Sequence, residues 1–206
     1  MTSELYTSYR TIKNPSEGTY SEKRSKFLAF AFPVESESEA LERVEAVRKK
    51  YYDARHVCWA YRIGKEEKQE RVNDDGEPSS TAGKPILGQI LSRDLTDIIV
   101  IVVRYFGGVK LGTGGLIVAY RTAAEEVIAG ALVEEKILYT EYELSFPFDL
   151  INPVMMLLKS FDVNIKGTDA TPDGHRWHIQ VSNSDVLDFS EKIKLLYQVQ
   201  VVLLTS

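Results

Sequence analysis

The segment from Asp97 to Gly115 constrains this chain most. Ile98–Val103 is an unbroken apolar run, and Arg104-Tyr-Phe-Gly-Gly-Val-Lys-Leu-Gly-Thr-Gly-Gly115 follows it with five glycines in nine positions. A strand that is apolar at successive positions is buried on both faces, so Asp97–Tyr105 is expected at the centre of a covered sheet. Beyond the glycines, Leu116, Tyr120, Ala123, Ala124, Val127 and Ile128 recur at helical spacing, which predicts a long helix from a Thr113 cap to about Ala131.

Two readings of the glycine stretch are open. Backbone N–H groups at a helix start, with the positive dipole end and Lys110 beside them, make a cradle for phosphate or carboxylate, the anion lying against Gly107, Gly108, Gly112, Gly114 and Gly115. Equally, glycines permit positive φ and close packing in a tight connection with no ligand. The stretch is neither a Walker A loop, since no Gly-Lys-Ser/Thr closes it, nor a G-x-G-x-x-G fingerprint.

The remaining elements of the front part follow from periodicity and punctuation. Phe27–Val34 reads as a strand, and Ser36 with Glu39 forms a capping box that opens a helix with Leu41, Val44, Val47 and Tyr51 on one stripe. His56–Ile63 alternates Val57, Trp59, Tyr61 and Ile63 with His56, Cys58, Ala60 and Arg62, so one face is expected in the core and the other is expected to carry chemistry. Lys65–Glu77 is polar and reads as a loop, and Pro85 suits the first turn of a short helix containing Ile86, Leu87, Ile90 and Leu91.

Within Arg71–Pro85, Asn73, Asp74, Asp75 and Glu77 are the candidate binding residues. Asp74, Asp75 and Glu77 are hard oxygen donors of the kind magnesium takes, although Asp75-Gly76 also forms a turn without any ligand and the EF-hand spacing is absent. Lys84, beside the Pro85 helix start, is a candidate for an anion site. Arg55, His56, Arg62 and Arg104 complete the candidate set. A Cys58–His56 nucleophile pair is disfavoured, because i, i+2 neighbours on one strand face stand apart.

After Leu138 the pattern changes. Eleven of the thirteen glycines precede that point, and the net charge is −1 before it and −4 after it. The order there is strand, helix, strand, strand, helix, strand: Glu141–Phe146, a helix begun by Asn152-Pro153, Val163–Thr168, His175–Ser182 after a Pro172-Asp173-Gly174 turn, a helix opened by Ser184, and Val199–Leu204. This βαββαβ order is the ferredoxin-like split βαβ pattern. Two domains are expected, residues 1–137 and 138–206.

Composition excludes other classes. The hydrophobic fraction of 44% and charged fraction of 27% predict a packed core, and the net charge of −5 argues against coating nucleic acid through bulk positive charge. With one cysteine, Cys58, no internal disulfide is possible, and no zinc-type Cys/His cluster is present, which predicts a reduced, cytoplasmic protein. Met1–Asn14 has no signal-type apolar stretch and Ile98–Val103 is too short to cross a bilayer, so no membrane association is expected.

Asn73-Asp-Asp-Gly-Glu-Pro78, Thr81-Ala-Gly-Lys-Pro85 and Val103-Arg-Tyr-Phe-Gly-Gly-Val-Lys-Leu-Gly-Thr-Gly-Gly-Leu116 resemble the defining motifs of the IMPACT/YigZ family, and Arg55-His-Val-Cys-Trp-Ala-Tyr61 resembles one of its strands. The resemblance implies an α+β protein with a front domain like the second domain of ribosomal protein S5 and a ferredoxin-like back domain like one of elongation factor G. It also implies translational control by binding rather than catalysis, without a cofactor, the partner being RNA, the ribosome or a translation-related protein. Ser80 stands where the family usually has glycine, and Val118 where an arginine is expected. The alternative is a magnesium-dependent enzyme on a phosphorylated small molecule or nucleotide, with the glycines holding phosphate and Asp74, Asp75 or Glu77 the metal.

Overall fold

The computed structural model describes residues 6–205. The chain separates into two compact units, one spanning Tyr9–Lys136 and the other running from Ile137 onward and including the residues just before Tyr9. Of Met1–Asn14, the first five residues lie outside the described region. Among the described residues no helix is long and apolar enough to cross a membrane.

The Tyr9–Lys136 unit is built on five antiparallel strands, β2 (Ser16–Glu22), β3 (Ser25–Pro33), β4 (His56–Ile63), β5 (Gln69–Asn73) and β6 (Ile98–Tyr105), in the order β2-β3-β6-β4-β5. As its apolar run requires, β6 is central. Ile98, Val100 and Val102 pack with α2 (Gly83–Ser92) and α3 (Gly112–Ala129), while Ile99, Ile101 and Val103 pack with α1 (Glu37–Lys50). Burying each such side chain contributes about 1.5–3 kcal/mol. The strands β1 (Ser8–Ile12) and β7 (Val133–Ile137) form a separate pair.

Several local readings are visible in detail. Ser36 Oγ accepts from Glu39 N at 3.2 Å and caps α1; Glu39 reaches back to Glu35 N rather than to Ser36 N. Helix starts in the second part shift by one or two residues, to Ile151 rather than Asn152 and to Val186 rather than Ser184, and two readings in this unit change. Lys65–Glu77 is not all loop, because Gln69–Asn73 forms the edge strand β5, paired to β4 alone. An edge strand exposed on nearly every residue has no apolar alternation to betray it. Helix α3 begins at Gly112, so Thr113 lies inside its first turn, and no side chain caps it.

Antiparallel pairing brings one set of chain ends together. Strands β2, β5 and β6 finish where β3 and β4 begin, α1 runs into β4, and the loops that lead into α2 and α3 leave from this same end.

The second unit has a four-stranded antiparallel sheet of β8 (Tyr139–Phe146), β9 (Val163–Thr171), β10 (Gly174–Ser182) and β11 (Gln200–Thr205), ordered β11-β8-β10-β9. Leu144, Ile179 and Val181 meet Val154 and Leu158 of α4 (Ile151–Leu158) and Phe189 of α5 (Val186–Ile193). Glu141 accepts from Gln180 and contacts His178, so this part of the sheet holds a polar ladder.

Candidate functional site

The loop between β5 and α2 is an acidic turn whose carboxylates face inward. Asp74 Oδ1 accepts from the backbone N–H of Ala82 at 3.0 Å and Gly83 at 2.8 Å, and its Oδ2 accepts from Ser80 N at 2.8 Å. Asp74 thereby caps α2, whose own N-cap residue Ala82 has no side chain for the task.

Asp75 closes the other side of the loop. Its Oδ2 accepts from Val57 N at 2.6 Å, its Oδ1 from Arg48 at 2.9 Å, and its N–H donates to Asn73 Oδ1 at 2.7 Å. His56 Nδ1 lies 2.8 Å from the Asp75 carbonyl. A carbonyl only accepts, so Nδ1 carries the proton and donates this bond.

Glu77 reaches deepest. Its Oε1 accepts from Arg104 Nη1 at 2.6 Å and from Tyr120 Oη at 2.8 Å, and the two charged side chains are only 4% and 6% exposed. Cys58 Sγ lies 3.0 Å from the Asp74 carbonyl and 3.3 Å from Tyr120 Oη. Burial pushes the Cys58 thiol far above its ordinary range, and burial with Cys58 and Glu77 close by does the same to Tyr120. Cys58 is also fully buried, which keeps its thiol from substrates and from the thiolate form a nucleophile needs. Phe27 meets the Tyr120 ring edge-on at 5.2 Å, and Arg104 lies over Phe27 at 5.6 Å.

The glycine stretch is docked on this network. A Cβ at Gly107 would come within 2.0 Å of the Arg24 backbone, so only glycine allows that approach, and Gly107 N donates to Ser25 Oγ at 3.4 Å. Gly108 and Gly112 have φ of 86° and 73°. Gly114 is exposed in the first turn of α3 with open space around it, and Gly115 packs on Leu111.

The sheet end thus gathers Arg55, His56, Asn73, Asp74, Asp75, Glu77, Arg104 and the glycine stretch with Lys110. Lys84 is exposed on the first turn of α2. Arg62 is not brought there: six residues along β4, about 20 Å away, it pairs with Glu70 and Asp94 and donates to the Leu95 carbonyl. The β4 face expected to be open for chemistry is covered, with Cys58 and Ala60 in the core beneath α2 and α3. Among the described residues, no three His, Cys, Asp or Glu side chains are grouped to hold a metal.

Ser25, Arg48 and Tyr120 were not among the sequence candidates. Tyr120 carried a signal, since a buried tyrosine on a helix stripe needs a hydrogen-bond partner for its hydroxyl. Ser25 and Arg48 carried none.

Residues 23–128 match the family described as Impact N-terminal domain. The chain belongs to the IMPACT family. Over 132 residues it is 41% identical to the IMPACT family member YvyE of Bacillus subtilis, covering 64% of this chain and 61% of that protein. Over 149 residues it is 35% identical to the IMPACT family member YigZ of Escherichia coli, covering 71% and 73%. A crystal structure of a hypothetical protein superposes with a TM-score of 0.70 at 30% identity, over 98% of this chain and all of that one. It supports a mixed α/β architecture over the whole chain.

Proposed function

We propose that this protein is a non-catalytic binding module of translational control that engages RNA, the ribosome or a translation-related protein through its Tyr9–Lys136 unit. One observation carries the reading. Every carboxylate of the signature loop is engaged by the protein's own donors: Asp74 by three backbone N–H groups, the partly exposed Asp75 by Arg48 and Val57 N, and the buried Glu77 by Arg104 and Tyr120. Acids held in this way make a rigid scaffold for the loops around them, and the thiol beside them is locked in its neutral form. The magnesium-enzyme alternative needs these same oxygens turned outward.

The finer fold assignments belong to the same reading. The β11-β8-β10-β9 order, with α4 and α5 packed on its apolar face, supports a ferredoxin-like domain over residues 138–206. Motif resemblance supports the S5-second-domain assignment for residues 1–137, and the division of the chain beside Lys136 fits that boundary. A buried lone cysteine is in keeping with a cytoplasmic protein.

Crosslinked pulldown of the full chain from lysate, with and without nuclease, tests the reading. RNA, ribosomal particles or a translation factor is the expected catch. Magnesium-dependent turnover of a nucleotide or phosphoester by the purified chain contradicts it.

A further inference from the structure

The sheet end that holds the acidic network also carries charges the network does not use. The β2–β3 hairpin turns through Lys23 and Arg24, with φ of 45° and 67°. A two-residue turn with both φ positive favours Asn-Gly; here both places are cationic. Gly107 packs on the Arg24 backbone, so the turn and the glycine loop form one continuous surface. Lys26, Arg55 and Lys110 are exposed at the same end.

Among the described residues, none of these five cations is within ion-pair distance of a carboxylate. Of the nearby acids, Asp75 and Glu77 are paired with arginines, while Asp74 is held by backbone N–H groups, Asp53 by the Tyr105 hydroxyl at 2.7 Å and Glu22, beside the turn, by the Tyr20 hydroxyl at 3.2 Å; these acids are outnumbered by the five cations together with Arg48 and Arg104. In a chain of net charge −5, this rim is locally cationic.

Two exposed aromatic rings stand among the cations. Phe106 is 51% exposed with the Arg104 guanidinium 5.6 Å from its ring centre, and Tyr52, which follows α1, is 85% exposed. Next to them Gly108, Gly112 and Gly114 leave open space where a Cβ would stand, so a ligand approaches the backbone closely. Cations alone suit any polyanion. Aromatic platforms set between them add stacking, which a nucleobase uses and an acidic peptide does not.

Resting on the binding-module reading above, we infer that this rim holds a single-stranded stretch of RNA, with Lys23, Arg24, Arg55 and Lys110 against the phosphates and Phe106 stacked on a base. This assigns the partner class and moves the contact surface away from the acidic loop, which serves as the rim's support.

Fluorescence anisotropy of the full chain with a labelled single-stranded RNA of mixed sequence, across salt concentration, tests the inference. Paired RNA and polyglutamate are the competitors, and circular dichroism confirms that each variant is folded. Four phosphate contacts give a log–log salt slope of about −3. Lys23→Glu with Arg24→Glu is expected to weaken binding about tenfold or more and to flatten that slope. Phe106→Ala is expected to weaken single-strand binding about tenfold, and Lys159→Glu with Lys194→Glu in the other unit to leave it unchanged. RNA binding that survives both rim variants overturns the assignment and leaves the binding-module reading standing. Competition by polyglutamate together with a silent Phe106→Ala gives the rim to an acidic protein and also overturns it. Absence of RNA binding, with nothing translational in the nuclease-split pulldown, overturns both.

Discussion

Arg104 Nη1 donates to Glu77 Oε1 across 2.6 Å in a site where both side chains are almost wholly shielded from water. Arg104 lies next to the end of the central strand β6 and Glu77 sits in the signature loop, so this contact ties the loop to the middle of the sheet. Removing one partner leaves a buried charge uncompensated. Glu77→Ala is therefore expected to destabilise the chain by about 3–5 kcal/mol in urea denaturation, and adding Arg104→Leu to recover part of the loss. Additive losses in the double variant contradict the pairing.

Asp74 satisfies three backbone N–H groups with one carboxylate. Asp74→Ala removes the α2 cap and orphans those donors, a loss of about 2–4 kcal/mol. Hydrogen exchange at the Ala82 and Gly83 amides is expected to accelerate before the sheet core does. Unchanged protection at both amides sinks this role.

Ser80 has φ of +64°, a conformation side chains resist. The left-handed conformation costs about 1–2 kcal/mol, and glycine's extra unfolded freedom offsets about 0.5–1 of that. Ser80→Gly is expected to raise stability by about 0.5 kcal/mol, and Ser80→Val to lower it. Denaturant midpoints of the pair decide the matter; a lower midpoint for the glycine variant contradicts it.

Burial and the neighbouring Asp97 push the Tyr9 hydroxyl up to about 12. The unfolded tyrosine ionises near 10, so the unfolded state loses its proton first as pH rises. The stability contributed by this group is complete below about pH 10 and is lost on the way to about pH 12. In Tyr9→Phe the fall in denaturation midpoint over that window is expected to be shallower than in the parent chain. Parallel pH profiles contradict the linkage.

Cys58 is fully buried, with its thiol held far above its ordinary range by burial. A disulfide reagent such as dithionitrobenzoate at mildly alkaline pH is expected to label it only as the chain unfolds, at the unfolding rate. Rapid stoichiometric labelling of the native protein refutes this placement.

The sequence made the scaffold readable where periodicity and punctuation agreed. Ile98–Val103 marked a central strand, Ser36 and Glu39 marked the start of α1, and Pro172–Gly174 marked the β9–β10 hairpin. It failed at β5, whose exposed edge position leaves no apolar rhythm, and at Thr113, which lies one residue inside α3. The alternation in β4 was read correctly as a strand, but its small Cys58 and Ala60 signify close helix packing rather than an open face. The candidate acids were recognisable by type. Their engagement was not, because Arg48, Arg104 and Tyr120 lie 27, 27 and 43 residues from the groups they hold. Only the fold brings them together.

The signature carboxylates are held by the protein's own donors. Amide chemical shifts of Val57, Ser80, Ala82 and Gly83, followed by NMR as magnesium is raised into the millimolar range with a nucleotide present, test this most directly. These amides, each donating to Asp74 or Asp75, are expected to stay where they are. Saturable movement of the four together, accompanied by nucleotide turnover, contradicts it.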